Sequence, residues 1–144
     1  MNLMEERFAA ALHSTARAWR QGLDRRLKHL GISQAGWMTI AVAAKAKAPL
    51  SQSELADTLG VEGATMVAMI DRLVKAGLVI REPSTSDRRV NHIALTEAGN
   101  RLYAVLRAEA DAFRRTLLAD VDPRQIEAAT ALLEHLQSLL ESRE

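Results

Sequence analysis

The side chains best suited to chemistry in this sequence are arginines and small hydroxyl residues, because catalytic groupings are missing. His13, His29, His92 and His135 lie far apart with no His-x-x-x-His spacing, and the chain has no cysteine. Zinc therefore has no local ligand set, and disulfides and cysteine-based redox sensing are excluded. Nucleophile motifs and phosphate-cradling glycine loops are also missing. We interpret the four histidines as surface or pocket residues and expect no enzyme activity, metal or cofactor.

Charge is uneven along the 144 residues, although 19 basic side chains nearly balance 18 acidic ones. Residues 1–32 carry six basic and three acidic side chains, residues 33–99 seven of each, and residues 100–144 six and eight. Any nucleic-acid contact must therefore come from a few locally placed arginines. Because no apolar run could span a bilayer and no signal-peptide pattern opens the chain, we expect a soluble, cytoplasmic protein of one or two small domains.

The pattern between residues 51 and 99 positions the candidate side chains. Ser51 followed by Glu54 is a capping-box pattern, which predicts a helix ending at Gly60. A second helix ends at Gly77, and two short helices joined through a glycine match a helix-turn-helix. Two stretches of period-two alternation then flank a Pro-Ser-Thr-Ser break, which predicts a β-hairpin. So small a hairpin must pack on the helices.

Amphipathic helices are predicted on both sides of this unit. One apolar stripe runs from Met4 to Leu30, with Gly31 as its C-terminal cap and Ser33 capping the next helix. After the hairpin, two more stripes follow, and an Asp-Pro pair caps the last helix. These stripes are longer than a compact core needs to cover, so we expect the chain ends to pack together and against a second subunit.

Four segments, taken in order, resemble the MarR family of transcriptional regulators. They are Gly31-Ile32-Ser33 before Gln34-Ala35-Gly36-Trp37, Leu50-Ser51-Gln52-Ser53-Glu54-Leu55-Ala56, Asp71-Arg72-Leu73-Val74-Lys75-Ala76-Gly77-Leu78-Val79, and Asp87-Arg88-Arg89 leading to Leu95-Thr96-Glu97-Ala98-Gly99. The resemblance covers nearly the whole chain. It implies a mainly α fold with a small β-hairpin wing, in which residues 33–99 form a winged helix-turn-helix and residues 1–32 and 100–144 a helical dimerisation region.

The resemblance also implies a function. Such a protein is a homodimer that binds a palindromic operator in double-stranded DNA, often as a repressor, and a small phenolic or aromatic-acid effector releases it. Two alternatives remain open. One is a winged-helix DNA-binding or protein-interaction module with no effector, and the other is a small helical enzyme, which would need a polar cleft that the sequence does not offer.

The second helix of a helix-turn-helix lies in the major groove, where its N-terminal half meets base edges. This predicts DNA contacts by Gly63, Ala64, Thr65, Met66, Ala68 and Met69. Thr65 can hydrogen-bond to a base or phosphate, whereas alanine and methionine side chains can touch a thymine methyl group. The alternative for the two methionines is packing on their neighbours within the fold.

Further DNA contacts are predicted on either side of this helix segment. Arg72 can bind a phosphate or base, or it can form a salt bridge to an acidic neighbour, for which the candidates are Asp71, Asp57 and Glu54. Ser51, Gln52 and Ser53 combine free helix N-terminal amides with small donors, which suits a phosphate. Capping alone explains Ser51 equally well. With few arginines on the helix, affinity depends on backbone contacts and groove shape.

The wing supplies the remaining arginines. Following the family motif, Arg89 matches the arginine that enters the minor groove, and Asp87 matches the acid that holds it or the hairpin in position. Arg88 faces the other side, towards a phosphate. The alternative is two arginines on a solvated turn.

The resemblance further implies a ligand cavity among the first two helices and the fifth. Candidate lining residues are His13, Arg17, Trp37, Met38 and Arg107, with an arginine suited to a carboxylate. The alternative for Trp37 is a place in the core.

Overall fold

The structure is a computed structural model that describes residues 2–87 and 89–142. Its elements are α1 (Leu3–Leu27), a 3-10 turn (Lys28–Leu30), α2 (Gln34–Lys45), β1 (Leu50–Ser51), α3 (Gln52–Leu59), α4 (Gly63–Lys75), β2 (Val79–Pro83), β3 (Asn91–Leu95), α5 (Glu97–Leu117) and α6 (Pro123–Glu141). This mainly α architecture with a small antiparallel sheet confirms the predicted fold class. None of the described helices is long and apolar enough to cross a membrane.

The helix boundaries follow from caps that the sequence contains. Ser33 Oγ accepts a hydrogen bond from the Gly36 N–H at 3.1 Å, and Ser51 Oγ accepts one from the Glu54 N–H at 3.1 Å. Each bond satisfies an amide that has no partner inside the helix. Gly60 adopts a left-handed φ of 68°, which ends α3 after two turns and starts the tight connection to α4.

The sheet has the strand order β1-β3-β2, and all its pairs are antiparallel. The predicted hairpin is confirmed: Val79 lies opposite Leu95, and Arg81 lies opposite Ile93. The sequence did not predict β1, which pairs Leu50 with Ile93. Two residues are too few to show a period. As expected for so small a sheet, β2 packs against α4 and β3 packs against α2 and α3.

The chain divides into two compact units, Met1–Asp111 and Ala112–Glu144. The hydrophobic core lies in the first unit. Its fully buried members come from both helices and sheet, and the largest are Leu27, Ile40, Leu55, Met66, Ile70 and Val79. These side chains hold α2, α3, α4 and the sheet together as one packed body.

The second unit contains the end of α5 and all of α6. The carboxylate of Asp122 accepts a hydrogen bond from the Arg124 N–H at 2.9 Å, so the predicted cap of the last helix is confirmed. No residue of α6 is buried, and its apolar side chains include exposed leucines such as Leu132, Leu133 and Leu140. A helix face with several exposed leucines normally packs against another protein surface.

Candidate nucleic-acid interface

The helix-turn-helix is α3, the Gly60 turn and α4, with β2 and β3 forming the wing. The Gly60 N–H donates to the carbonyl oxygens of Ala56 and Asp57, and the Val61 N–H donates to Ala56 at 3.0 Å. These bonds satisfy the last carbonyl groups of α3. Helix α3 packs directly on α4, so the turn holds the second helix at a fixed angle.

One face of α4 forms part of the core. Met66 is only 2% exposed and Met69 6%, and both pack with Ile70 and Leu73. This corrects the sequence-based assignment of the two methionines to the DNA surface, because a side chain enclosed by protein cannot reach a base edge. Their packing alternative is what the structure shows, so we remove both from the candidate interface.

The opposite face of α4 is open to solvent. It presents Ala64, Ala68, Asp71 and Lys75 at helical steps of four, three and four. Gly63, Thr65 and Arg72 are also exposed, and the Arg72 side chain makes no hydrogen bond or ion pair within the described residues. The predicted salt bridges of Arg72 are therefore not formed, and its guanidinium is available to a ligand.

The polar side chains at the start of α3 differ in whether they make hydrogen bonds within the protein. The Ser51 hydroxyl accepts from the Glu54 N–H and donates to the Glu54 carboxylate at 3.3 Å, and Ser51 is buried. Capping therefore accounts for this hydroxyl. Gln52 is half-buried and its side-chain oxygen accepts a hydrogen bond from Arg81, whereas Ser53 is exposed.

The wing loop holds an arginine out into solvent. The Asp87 carboxylate accepts hydrogen bonds from the backbone N–H of Arg89 at 3.0 Å, from its Nε at 3.3 Å and from its Nη2 at 3.5 Å. The Arg89 side chain is nevertheless 90% exposed. The backbone N–H, followed by the guanidinium, holds the pKa of Asp87 below its usual range. This carboxylate is thus ionised at neutral pH and orients Arg89.

Hydrogen bonds within the loop position Asp87 in turn. The buried Ser84 hydroxyl accepts from the N–H groups of Ser86 and Asp87, and the Val90 N–H donates to the Asp87 carbonyl at 3.1 Å. The Ser84 N–H donates across the loop to Val90 at 2.8 Å. The predicted contact of Arg88 with a phosphate lies outside the described residues.

The sequence did not single out Arg81, which lies beneath this surface. From β2, its Nε donates to the side-chain oxygen of Gln52 at 2.8 Å, and its Nη2 donates to the Asp71 carboxylate at 2.5 Å. It therefore connects the wing strand to both helices of the helix-turn-helix. The sequence could not predict this position, because both alternating sets of side chains in the strand include apolar residues. Which set faces the core could therefore not be chosen.

The predicted ligand-cavity residues lie in different surroundings. Trp37 is buried, and its Nε1 donates to the Asp24 carboxylate at 3.0 Å, which matches the core alternative. His13, Arg17 and Arg107 are exposed. Met38 lines a cavity of about 150 Å³ between α2 and the start of α4, and Thr65, Met66 and Met69 line its other side. The structure therefore brings Met38, but none of the other four, to this cavity.

Among residues 2–87 and 89–142, no three His, Asp or Glu side chains come together as a metal site would require. The described side chains leave no buried nitrogen or oxygen atom without a hydrogen-bond partner.

Comparison with known proteins bears on this geometry. A profile of the MarR family matches residues 44–90. The chain is similar to the transcriptional regulator PA3341, with 38% identity, 94% of this chain and 98% of that chain covered, and a TM-score of 0.87. CouR from Rhodococcus jostii RHA1, solved bound to p-coumaroyl-CoA, shares 22% identity over 94% of this chain and 95% of that one, with a TM-score of 0.80.

A DNA-bound structure has the same fold. It is a variant of S. aureus MepR bound to an oligodeoxyribonucleotide, which shares 23% identity over 92% of this chain and 97% of its own, with a TM-score of 0.62. Fold and site together define a DNA-binding winged helix-turn-helix regulator. The chain belongs to the MarR family of transcriptional regulators.

Proposed function

We propose that this protein is a homodimeric repressor that binds a palindromic operator and is released by a small aromatic ligand. The observation that carries the proposal is that two exposed surfaces belong to the same compact unit. They are the solvent face of α4 and the Arg89 side chain, which Asp87 holds away from the fold. The proposed activity is regulatory rather than enzymatic, and it requires a cytoplasmic location where DNA is accessible.

In the proposed complex, α4 lies in the major groove. Ala64 and Ala68 face the bases and touch thymine methyl groups, and Thr65 supplies a hydroxyl to a base or phosphate. Gly63, at the first position of the helix, is exposed and carries no Cβ, so DNA can approach its backbone closely. Arg72, Gln52 and Ser53 bind the flanking phosphates, which set the register without reading sequence.

Arg89 enters the neighbouring minor groove. A narrow minor groove concentrates negative potential and attracts arginine without needing a hydrogen-bond code. The fork of hydrogen bonds to Asp87 limits the rotamers that Arg89 samples in free protein, so less conformational entropy is lost on binding.

The second subunit covers the exposed apolar faces. In α1, Leu3, Met4 and Phe8 are exposed, and in α6 the leucines at 132, 133, 139 and 140 are exposed. The α6 leucines repeat at steps of seven, which is the spacing of helices that pack along their length. In the proposed dimer, a second copy covers both apolar faces. The two α4 helices then lie about 34 Å apart, which is the separation of successive major grooves.

The proposed effector changes the distance between the two α4 helices of the dimer. It binds a dimer geometry in which the two α4 helices no longer match successive grooves, and DNA is released. Two observations support an aromatic acid or its thioester: CouR, a relative of the same fold, is solved with p-coumaroyl-CoA, and His13, Arg17 and Arg107 are exposed and able to bind an anion.

Random-site selection with the purified protein tests the proposal. The expected product is an inverted repeat with half-sites one helical turn apart, bound by a species that sediments as a dimer. Replacing Leu133 and Leu140 by glutamate should yield monomers that select no inverted repeat. Recovery of an unrelated or unsymmetrical set of sequences by the wild-type dimer would contradict the operator assignment.

A constitutive DNA-binding module is the second candidate. The observation in its favour is that Trp37, placed in the predicted ligand site, is buried and hydrogen-bonded to Asp24. Thermal-shift screening with phenolic acids and their CoA thioesters separates the two functions, because a ligand that binds only folded dimer raises its melting temperature. A hit that also releases operator DNA supports the effector, whereas no shift with any compound supports constitutive binding.

A further inference from the structure

Arg81 connects three elements of the DNA-binding unit. It belongs to β2, Gln52 is the first residue of α3, and Asp71 lies in the middle of α4. Its guanidinium donates to both partners, and these contacts join positions 29 and 10 residues away along the chain.

Strand geometry explains how an arginine reaches this place. Side chains along β2 alternate between faces, so Arg81 shares a face with Val79, which is buried against the helices. The residue opposite Arg81 in the sheet, Ile93, is also buried. The aliphatic stem of Arg81 therefore lies at the edge of the core, and its charged end extends to the helix surfaces. The side chain is only 27% exposed.

The two acceptors lie on the parts of α3 and α4 that are proposed to contact DNA. Asp71 lies on the solvent face of α4 with Ala64, Ala68 and Lys75, which is the face proposed to enter the major groove. Gln52 begins the helix whose N-terminal amides are proposed to meet a phosphate. A planar guanidinium can hold two acceptors at fixed angles, which a lysine ammonium cannot do as well.

We propose that Arg81 is a positioning residue that sets the angle between α3, α4 and the wing for sequence-specific recognition, without touching DNA itself. The inference rests on the DNA-binding function proposed above. Arg81 also neutralises Asp71, whose charge would otherwise repel phosphates from the groove-facing surface. Loss of Arg81 therefore misaligns the base contacts more than it weakens general attraction to DNA.

A direct phosphate contact is the competing role, and Asp71 distinguishes the two. If Arg81 bound a phosphate, Asp71→Asn would free its guanidinium and strengthen binding to any duplex, leaving the preference for the operator unchanged. If Arg81 positions α4 through Asp71, the same change releases the helix and lowers preference for the operator. The two roles thus differ in what Asp71→Asn does to the ratio of operator affinity to general affinity.

The test compares wild type with Arg81→Met, Asp71→Asn, the double variant and Arg101→Met. Arg101 is the matched control, because it is an exposed arginine on α5 paired only with Glu97, and its loss changes the net charge equally. Affinities are measured for the duplex selected by wild type and for a scrambled duplex of the same composition. Stoichiometric titration gives the fraction of active protein for each variant. Both affinities are corrected for that fraction, so partial unfolding does not change their ratio.

We expect Arg81→Met to reduce the operator-to-scrambled affinity ratio about tenfold, the size of one lost base-pair contact. Asp71→Asn should reduce it similarly, the double variant should be no worse than either single one, and Arg101→Met should leave it unchanged. An operator-to-scrambled affinity ratio that is unchanged in Arg81→Met or in Asp71→Asn would overturn the inference. If wild type itself prefers no duplex, the proposed function fails instead.

Discussion

The DNA-binding unit contains two arginine–aspartate pairs that differ in what they connect. Arg81 and Asp71 come from a strand and a helix, and the arginine is largely enclosed. Arg89 and Asp87 are two residues apart in one loop, and the arginine is almost fully exposed. The same ion-pair chemistry thus serves two purposes: the first pair joins elements to each other, whereas the second orients a side chain towards something outside the protein.

This difference shows why the count of arginines is a poor guide to the interface. The segment 33–99 has no net charge, yet it keeps Arg72 and Arg89 open to solvent while Arg81 is used internally. Local placement decides which charges meet DNA. The following changes test the contrast, starting with the one of largest expected effect.

Gly99→Ala should destabilise the junction between β2 and α5, which supports both arginine–aspartate pairs. Gly99 lies in the first turn of α5, against the turn before β2, and a Cβ there would overlap the Leu78 carbonyl oxygen. That oxygen accepts from the Thr96 N–H at 3.0 Å, and the Thr96 hydroxyl donates to Gly77. Overpacking at backbone atoms costs about 1 to 3 kcal/mol. Denaturant unfolding should therefore show a loss of that size.

The control for this change is Gly63→Ala. A Cβ at Gly63 meets nothing within 4 Å, and its backbone is helical. Alanine is the better helix former, so stability should be equal or slightly higher. Equal stability of the two variants would show that the junction at Gly99 tolerates a side chain, contrary to the packing described.

Arg81→Met and Arg89→Met should differ in thermal stability. Partly exposed ion pairs contribute up to about 1 kcal/mol, which corresponds to a melting-temperature decrease of about 1 to 4 °C for Arg81→Met. Arg89→Met should stay within about 1 °C of wild type, because its pair lies within one solvated loop. Calorimetry at matched protein concentration measures both values. A larger loss in Arg89→Met than in Arg81→Met would reverse the assignment of roles.

The smallest expected effect is on the titration of Asp87. Its pKa lies below the ordinary value of 3.8, so the stabilisation of the wing is present above that value and is lost as the pH falls through the folded-state pKa. Carboxyl chemical shifts should give a midpoint below 3.8. In Arg89→Met the midpoint should rise only partway, because the backbone N–H is the larger cause.

Asp122 provides an internal control for that titration. Its pKa is also lowered, first by the backbone N–H of Arg124 and then by the Arg124 side chain. It should therefore titrate low in wild type and in Arg89→Met alike. An Asp87 midpoint at or above 3.8 in wild type would show that the wing hydrogen bonds do not persist in solution.

Local signals in the sequence predicted most of the fold. Ser33, Ser51 and Asp122 cap helices as expected, and Gly31 and Gly60 adopt left-handed φ values at helix ends. Each signal depends on residues within three or four positions. The Asp87-to-Arg89 hydrogen bonds were likewise local, so the motif could indicate them.

Contacts between distant residues could not be predicted in the same way. No local pattern joins Arg81 to Gln52, because that contact depends on which face of β2 is buried. Burial of Met66 and Met69 depends on the angle at which α4 packs on α2 and α3, which a helical period of apolar residues leaves open. Strand β1 depends on pairing with β3, more than 40 positions away.

The salt dependence of operator binding tests the central claim most directly. Affinity is measured between low and moderate salt for wild type, Arg89→Met, Arg81→Met and Arg101→Met. If Arg89 meets DNA, its loss should flatten the slope of log K against log salt by up to about one unit per subunit, whereas Arg81→Met should match Arg101→Met. A slope unchanged in Arg89→Met, or flattened equally in Arg81→Met, would contradict the division between an external and an internal arginine.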